Sequence, residues 1–329
     1  MTFWSAGLGA LPAQFRKPRL LIVGCGDVGQ RVASLLNANK PAHAQTLPRT
    51  FRILALTSSA ERIEPFRVQG IVPLVGNLDD KASFQRLAGL ATHVLHLAPP
   101  PSEGWRDPRT LALTRALRLR TPPSAFVYGS TSGVYGDLAD GKAKETLPTA
   151  ARTPRATRRV SAEQTVRFLG RSSVNASFIR TSILRIPGIY APNRTGGTPK
   201  DRLLKGTPVL TAKDDVYTNH IHADDLARAC LAALWRGKPQ RVYNVNDDSR
   251  MKMGDYFDFA ADLYGLPRPP RVPRNTAHDQ LPLMLLSFMS ESRQMDNGRL
   301  KRELKFKLQY PTVQTGLAER AELKQLKLL

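Results

Sequence analysis

Short apolar runs alternate with amphipathic stretches through the first two thirds of the chain. This is the pattern of strands buried on both faces and joined by helices that lie over them. Arg19 to Val23 (RLLIV) predicts a first strand and Gln30 to Leu36 a first helix, and a polar, proline-bearing insert over Ala38 to Thr50 leads to a second strand at Arg52 to Leu56. Val72 to Val75 reads as a third strand, Phe84 to Leu90 as a helix, and His93 to Leu97 as a fourth strand. Pro99, Pro100 and Pro101 halt that strand, because none can donate to a sheet ladder. A helix over Thr110 to Arg120 precedes a fifth strand at Ala125 to Tyr128; Val160 to Leu169 is helical and Ser177 to Arg185 is a sixth strand. From Pro187 to Pro208 the pattern loosens into Gly/Pro-rich chain. A helix at Ala223 to Trp235 and a strand at Val242 to Val245 follow, and the remainder from Lys252 is mostly helical, with proline breaks at Pro267 to Pro273.

The junction of the first strand and first helix carries chemistry. Leu20 to Gly29 reads LLIVGCGDVG, so strand, G-x-G-x-x-G turn and helix follow without a gap. Gly24 permits the tight turn, Gly26 lets the backbone approach a pyrophosphate, and Gly29 lets the helix pack on the strand. Asp27 and Val28 lie within the same turn and join the cofactor-binding set, where the helix N-terminus offers unpaired N–H groups to phosphates. The expectation is therefore an α/β fold: a Rossmann-type doubly wound parallel sheet with a smaller, mostly helical C-terminal substrate lobe. Residues 1–17 form a flexible leader and residues 18–186 the dinucleotide-binding domain, to which 219–246 returns; residues 187–218 and 247–329 form the lobe. The second strand ends in Thr57, Ser58 and Ser59 with Arg62 nearby, and it lacks the carboxylate that would bind an unmodified adenosine ribose. Hydroxyls and a guanidinium suit a 2′-phosphate, so NADP(H) is preferred over NAD(H).

Composition narrows the picture. The hydrophobic content of 41% and charged content of 23% over 329 residues are those of a globular protein. No run approaches the roughly 18 apolar residues that span a bilayer. Arg16, Lys17 and Arg19 follow the mildly apolar N-terminus instead of preceding it, the wrong order for a signal peptide, so a cytoplasmic protein is expected. The two cysteines, Cys25 and Cys230, imply neither a disulfide framework nor a metal site. A net charge of +22 raises the question of a polyanionic partner. The basic residues are spread out, however, with local clusters at Arg115 to Arg120, Arg152 to Arg159 and Lys301 to Lys307 and no interleaved aromatics, which disfavours nucleic acid. A small anionic substrate is the expected partner, and a homo-oligomer is compatible with these features.

Further segments resemble the extended short-chain dehydrogenase/reductase family, which includes nucleotide-sugar epimerases and dehydratases. GNLDD (Gly76 to Asp80) is similar to the family's G-D-L-x-D, and HLAPPP (His96 to Pro101) to the end of its fourth strand. YGSTSGVYGD (Tyr128 to Asp137) resembles its S-[ST]-S-x-V-Y-G segment, and SILRIPGIYAP (Ser182 to Pro192) its L-R-x-x-x-x-Y-G-P loop. NHIHADDLARA (Asn219 to Ala229) resembles its I-H-V-x-D-L-A helix start, and RVYNVNDD (Arg241 to Asp248) its late Y-N-V strand. The G-x-G-x-x-G spacing resembles the atypical branch, whose members often lose active-site residues. The resemblance implies that Asn77 and Leu78 edge the adenine and that Leu97, Ala98 and Pro99 run beneath the ribose and pyrophosphate. It also implies that Pro187 and Gly188 approach the nicotinamide.

The family's chemistry uses a Ser/Thr hydroxyl and a Tyr-x-x-x-Lys pair. The resemblance implies that Thr131 is the hydroxyl residue. TPRATRRVSAEQ (Thr153 to Gln164) matches the helix with Arg155 in the tyrosine position and Arg159 in the lysine position. Arg159 keeps a cation by the cofactor, but a guanidinium stays protonated and Arg155 cannot exchange protons. Tyr135, on a loop at the carboxyl end of a strand, is the expected catalytic substitute, and Tyr190, His96, His220 and His222 are further candidates. Two functions stay open: an epimerase, dehydratase or reductase, and a catalytically silent NADP(H)-binding sensor or interaction protein.

Overall fold

The computed structural model describes residues 17–38, 51–171 and 178–318. Its centre is a seven-stranded sheet of β1 (Arg19–Val23), β2 (Arg52–Thr57), β3 (Val72–Val75), β4 (His93–His96), β5 (Ala125–Thr131), β6 (Arg180–Ile186) and β7 (Arg241–Asn244). The strands lie in the order 7-6-5-4-1-2-3, and each neighbouring pair is parallel. Ile22 lies opposite Ala55 on one side and Leu95 on the other. The chain winds outward from β1 to β3 and then returns to β4, so the connections diverge at the carboxyl ends of β1 and β4 and open a crevice there.

Because successive strand residues face opposite ways, the apolar runs feed two cores. Leu20, Ile22, Ile53, Leu95 and Val127 pack under α1 (Asp27–Ala38) and α6 (Ala223–Arg236). Leu21, Val23, Leu54, Val94 and Phe126 pack under α4 (Pro108–Ala116) and α5 (Pro154–Arg171). Two short helices, α2 (Ile63–Val68) and α3 (Lys81–Gln85), complete the β2–β4 crossovers. A third core, including Tyr190, Leu203, Tyr256, Phe257 and Val313, belongs to the lobe around α7 (Met253–Tyr264). No helix among the described residues is long and apolar enough to cross a membrane.

Most expected elements appear with shifted ends. α4 starts at Pro108 because Asp107 caps it, accepting Thr110 N–H at 3.0 Å. α3 is confined to Lys81–Gln85: Asp80 caps its start and the chain then turns through Gly89 at φ +70°. α5 begins at Pro154, well ahead of the expected Val160. Its first turns, PRATRR, carry no apolar stripe and are started by Thr153, whose hydroxyl accepts Ala156 N–H at 3.2 Å. The lobe is less purely helical than its composition suggests. Two-residue parallel pairs, Val209–Leu210 with Arg271–Val272 and Lys142–Ala143 with Gln294–Met295, tie it together. Leu300, Leu304, Phe306 and Leu308 pack into the α1/α6 core of the sheet. The leader up to residue 16, residues 39–50 of the insert and Ser177 lie outside the described residues.

One buried ion pair joins α5 to the sheet. Glu163 accepts Arg185 Nε at 3.1 Å on Oε1 and Arg185 Nη2 at 2.8 Å on Oε2, and Oε1 also accepts the Ser130 hydroxyl at 2.7 Å. The two side chains are 1% and 3% exposed. His96 is likewise buried. Thr110 donates its hydroxyl to Asp107 at 2.6 Å, so its oxygen accepts from His96 Nε2–H at 2.8 Å. Burial foremost, with the Arg159 charge beside it, pushes the His96 imidazole down to about 3.

Two stability predictions follow from these groups. Glu163→Gln leaves Arg185 buried beside a neutral amide and should cost about 3–5 kcal/mol in urea unfolding at pH 7. His96 is neutral in the fold but takes a proton near pH 6.5 when unfolded, so its contribution is present above that pH and is lost as pH falls toward 3. The fall in unfolding free energy from pH 7 to pH 5 should therefore be about 2 kcal/mol smaller in His96→Phe than in the parent chain.

Candidate functional site

The three glycines of the first turn have different surroundings. Gly24 sits at φ +86°, and a Cβ there would lie 2.3 Å from the Ala98 nitrogen, so only glycine fits. The crowding arises because the Val23 carbonyl accepts both Leu97 N–H (2.7 Å) and Ala98 N–H (3.0 Å), which draws Leu97, Ala98 and Pro99 across the turn. A Cβ on Gly26 would meet nothing within 4 Å, which leaves this face of the turn open to a ligand. Gly29 lies against Ile22 and Cys25, where a Cβ would come within 3.1–3.2 Å, and so sets the distance between α1 and β1. Val28 is buried in the same packing. Burial foremost pushes the Cys25 thiol up to about 12, against the lowering effect of Arg62, so this thiol is not a nucleophile.

The end of β2 closes over this turn. The Thr57 hydroxyl accepts Ser59 N–H at 3.2 Å, Ser58 is exposed, and Arg62 reaches back to the Cys25 carbonyl at 3.2 Å. The guanidinium therefore lies at the glycine turn itself. Asn77 folds its loop, its Oδ1 accepting Asp79 N–H at 3.0 Å, while Leu78 packs against the α4/α5 core. The Asp27 carboxylate is engaged with protein cations, Arg31 Nε at 3.1 Å and Arg194 Nη1 at 2.6 Å. The side chain of Asp27 thus ties the loop around Arg194 to the start of α1.

At the end of β5, Arg159 Nη1 donates to the Gly129 carbonyl at 2.7 Å and to the Tyr128 hydroxyl at 3.0 Å. Thr131 caps the following turn, accepting Gly133 N–H at 3.3 Å, and lines a cleft. Tyr135 does not line it. Its phenol donates to Asn244 Oδ1 at 2.7 Å, its ring lies 4.5 Å from the Arg185 guanidinium, and burial foremost raises its pKa. The expectation that Tyr135 replaces the missing catalytic tyrosine is therefore corrected; it is a buried strut.

The cleft itself measures about 890 Å³ and lies between the carboxyl ends of β5 and β6 and the lobe. Pro187 and Gly188 form part of its sheet-side wall, beside Thr131 and Arg155. Burial, with Arg159 and Arg158 nearby, lowers the Arg155 pKa from the usual guanidinium value. Arg158, Arg194, Arg202 and Arg293 also line the cleft, against a single carboxylate among the described lining residues, Glu291. Only Arg158 fell in a basic cluster visible in the sequence. The others come from irregular segments whose lack of periodicity hid where they point.

Of the remaining candidates, Tyr190 and His220 line the cleft, and each is also engaged with protein groups. Tyr190 donates to the Thr312 carbonyl at 3.1 Å, and burial raises its pKa. His220 stacks on Tyr256 with ring centroids 4.3 Å apart, and burial pushes it down to about 4. His222 caps α6, its Nδ1 accepting Asp224 N–H at 3.2 Å. Among the described residues, no group of three His, Cys, Asp or Glu side chains is placed to hold a metal ion.

Known proteins place this arrangement. A functionally unknown conserved protein from Silicibacter pomeroyi is 30% identical, with TM-score 0.74 over 93% of this chain and 99% of that one. UDP-glucose 4-epimerase from Thermotoga maritima, solved with UDP-glucose, shares the fold at 18% identity and TM-score 0.73 over 94% of this chain and 100% of that one. A dTDP-glucose 4,6-dehydratase double mutant from Streptomyces venezuelae, solved with NAD and DAU bound, does so at 19% identity and TM-score 0.70 over 93% of this chain and 97% of that one. Among curated proteins none matches. Residues 21–246, which run from β1 to just past β7, match the NAD dependent epimerase/dehydratase family, and the chain belongs to it.

Proposed function

We propose that this protein binds a nicotinamide dinucleotide at the glycine turn and acts as an epimerase, dehydratase or reductase on an anionic substrate, a nucleotide-linked sugar or another carbonyl compound. The observation that carries the reading is the juxtaposition of two features at the carboxyl end of one sheet: the open Gly26 face and the arginine-lined cleft of about 890 Å³. The solved relatives with NAD or nucleotide sugars bound support it. In this reading residues 18–186 and 219–246 hold the dinucleotide, and residues 187–218 and 247–329 hold the substrate.

The residues present fit a dinucleotide. Gly24, Gly26 and Gly29 with the start of α1 would hold the pyrophosphate, and Thr57, Ser58 and Arg62 an adenosine 2′-phosphate. Asn77 and Leu78 would flank the adenine, with Leu97, Ala98 and Pro99 beneath the ribose. Arg159 would stand at the nicotinamide ribose, and Pro187 and Gly188 at the nicotinamide. When bound, the cofactor supplies hydride transfer. The chain's own part is to position: Thr131 offers its hydroxyl to a substrate oxygen, while Arg155 supplies a fixed positive charge but takes up no proton. The second reading, a silent sensor or interaction protein, is favoured by that same Arg155 and by the burial of Tyr135 away from the cleft.

Titration calorimetry separates these readings. The full chain should bind NADP+ more tightly than NAD+. Arg62→Ala should weaken NADP+ by about tenfold, the loss of a charge-assisted hydrogen-bonding group, and leave NAD+ within about twofold. Equal losses for both cofactors would remove the 2′-phosphate assignment. Cofactor binding without hydride exchange across a panel of sugar nucleotides and carbonyl compounds would favour the silent reading.

A further inference from the structure

The first turn of α1 carries a charge of the wrong sign for a pyrophosphate. Asp27 is the first residue of the helix and directly follows Gly26, whose open face would receive the phosphates. A carboxylate there suits the positive end of the helix dipole, but it repels a second anion drawn to the same end. Two guanidiniums meet it. Arg31 donates Nε to Asp27 at 3.1 Å, Nη2 to the Asn193 side-chain oxygen at 2.7 Å, and Nη1 to Asp224 at the start of α6. Arg194 donates Nη1 to Asp27 at 2.6 Å, and among the described residues Asp27 is the only hydrogen-bond acceptor of this guanidinium.

Within this network Asp27 and Asp224 are balanced by Arg31 and Arg194, so its charges cancel only with Arg194 in place. Arg31 cannot do this alone, because it divides its donors among three partners. Without Arg194 the network would hold one negative charge in excess beside the glycine turn. The Asp27 and Arg194 side chains are 33% and 27% exposed, so a ligand arriving at the turn meets this pair directly. Arg194 also belongs to the cleft. It stands in the loop after the strand Gly188–Tyr190, which is closed by Ala191 N–H on the Gly197 carbonyl (3.1 Å) and Gly197 N–H on the Arg194 carbonyl (2.9 Å). Arg194, Gly196 and Gly197 of that loop line the cleft, so one ion pair joins the glycine turn to the cleft wall.

We infer that Arg194 is a positioning residue for the dinucleotide: by neutralising Asp27 it lets a pyrophosphate approach the first turn of α1, and the same bond holds the cleft loop against the cofactor site. The inference rests on the proposed dinucleotide role of the glycine turn and deepens it. Two simpler roles differ from it in a measurable way. A direct phosphate ligand would act whether or not position 27 is acidic. A mere tether of the loop would be cut equally by loss of either partner. Arg194 instead acts through the charge of Asp27, so its effect on affinity disappears with that carboxylate.

The test is a double-substitution cycle read by calorimetric titration of NADP+ into the full chain. Arg194→Met should weaken NADP+ by about tenfold, the effect of one uncompensated charge near a phosphate at a partly exposed site. Arg194→Lys keeps the charge and should stay within about threefold of the parent chain. Asp27→Asn should bind NADP+ at least as tightly as the parent. Arg194→Met introduced into the Asp27→Asn chain should then change the affinity by no more than about twofold. A tether gives no such rescue, since each substitution cuts it. Affinity of Arg194→Met within about twofold of the parent overturns the inference, as does an equally large loss in the Asp27→Asn chain. A parent chain that binds neither NADP+ nor NAD+ overturns the dinucleotide reading and this inference with it. An unrescued loss, with parent binding intact, overturns this inference alone.

Discussion

The pairing of Glu163 with Arg185 is the constraint on which the site's geometry rests. Both groups are withdrawn from water, so neither tolerates displacement from the other, and Ser130 completes the carboxylate's coordination from β5. The pair sets the rotation of α5 about its own axis. Arg159 and Arg155 lie four and eight residues before Glu163 and so occupy the same helical face, directed at the sheet ends and the cleft. The guanidinium of Arg185 also covers Tyr135, whose hydroxyl engages Asn244. Asn244 in turn donates to the Ala143 and Asp296 carbonyls, so one polar network runs from α5 through β6 and β7 to the segments that close the lobe.

The same network holds the helix that carries Arg155. The helix position is kept by Glu163 whatever stands two turns earlier, so a substitution there alters the chemistry of the cleft and not its architecture. With Arg155, Arg158, Arg194, Arg202 and Arg293 lining it, the cleft gathers part of the chain's large positive charge. Elsewhere some cations are matched locally, as in Arg109 with Asp79 and Arg241 with Glu303. A high net charge here does not require a nucleic-acid surface: some of it is concentrated where a small anion would be bound and the rest is dispersed.

Much of the sheet was legible because its signal is local. β1, β3 and β4 are short apolar runs between turn residues, and the G-x-G-x-x-G turn follows from steric demands made by its immediate neighbours. The start of α5 was not legible from periodicity, since a helix anchored by one buried ion pair and a cap needs no apolar stripe in its first turns. The role expected of Tyr135 failed for a related reason. It occupies a turn at the carboxyl end of a strand, where ligands bind, yet its hydroxyl is claimed by a partner distant in sequence, Asn244.

The sequence by itself determined the alternation of strand and helix, the glycine turn and the missing carboxylate at the end of β2. These are properties of adjacent residues, and steric and hydrogen-bonding limits act over a few bonds. Only the tertiary structure decided which polar groups are spent on one another and which remain for a ligand. That outcome depends on desolvation and on contacts between segments a hundred or more residues apart, and neither can be read from spacing along the chain.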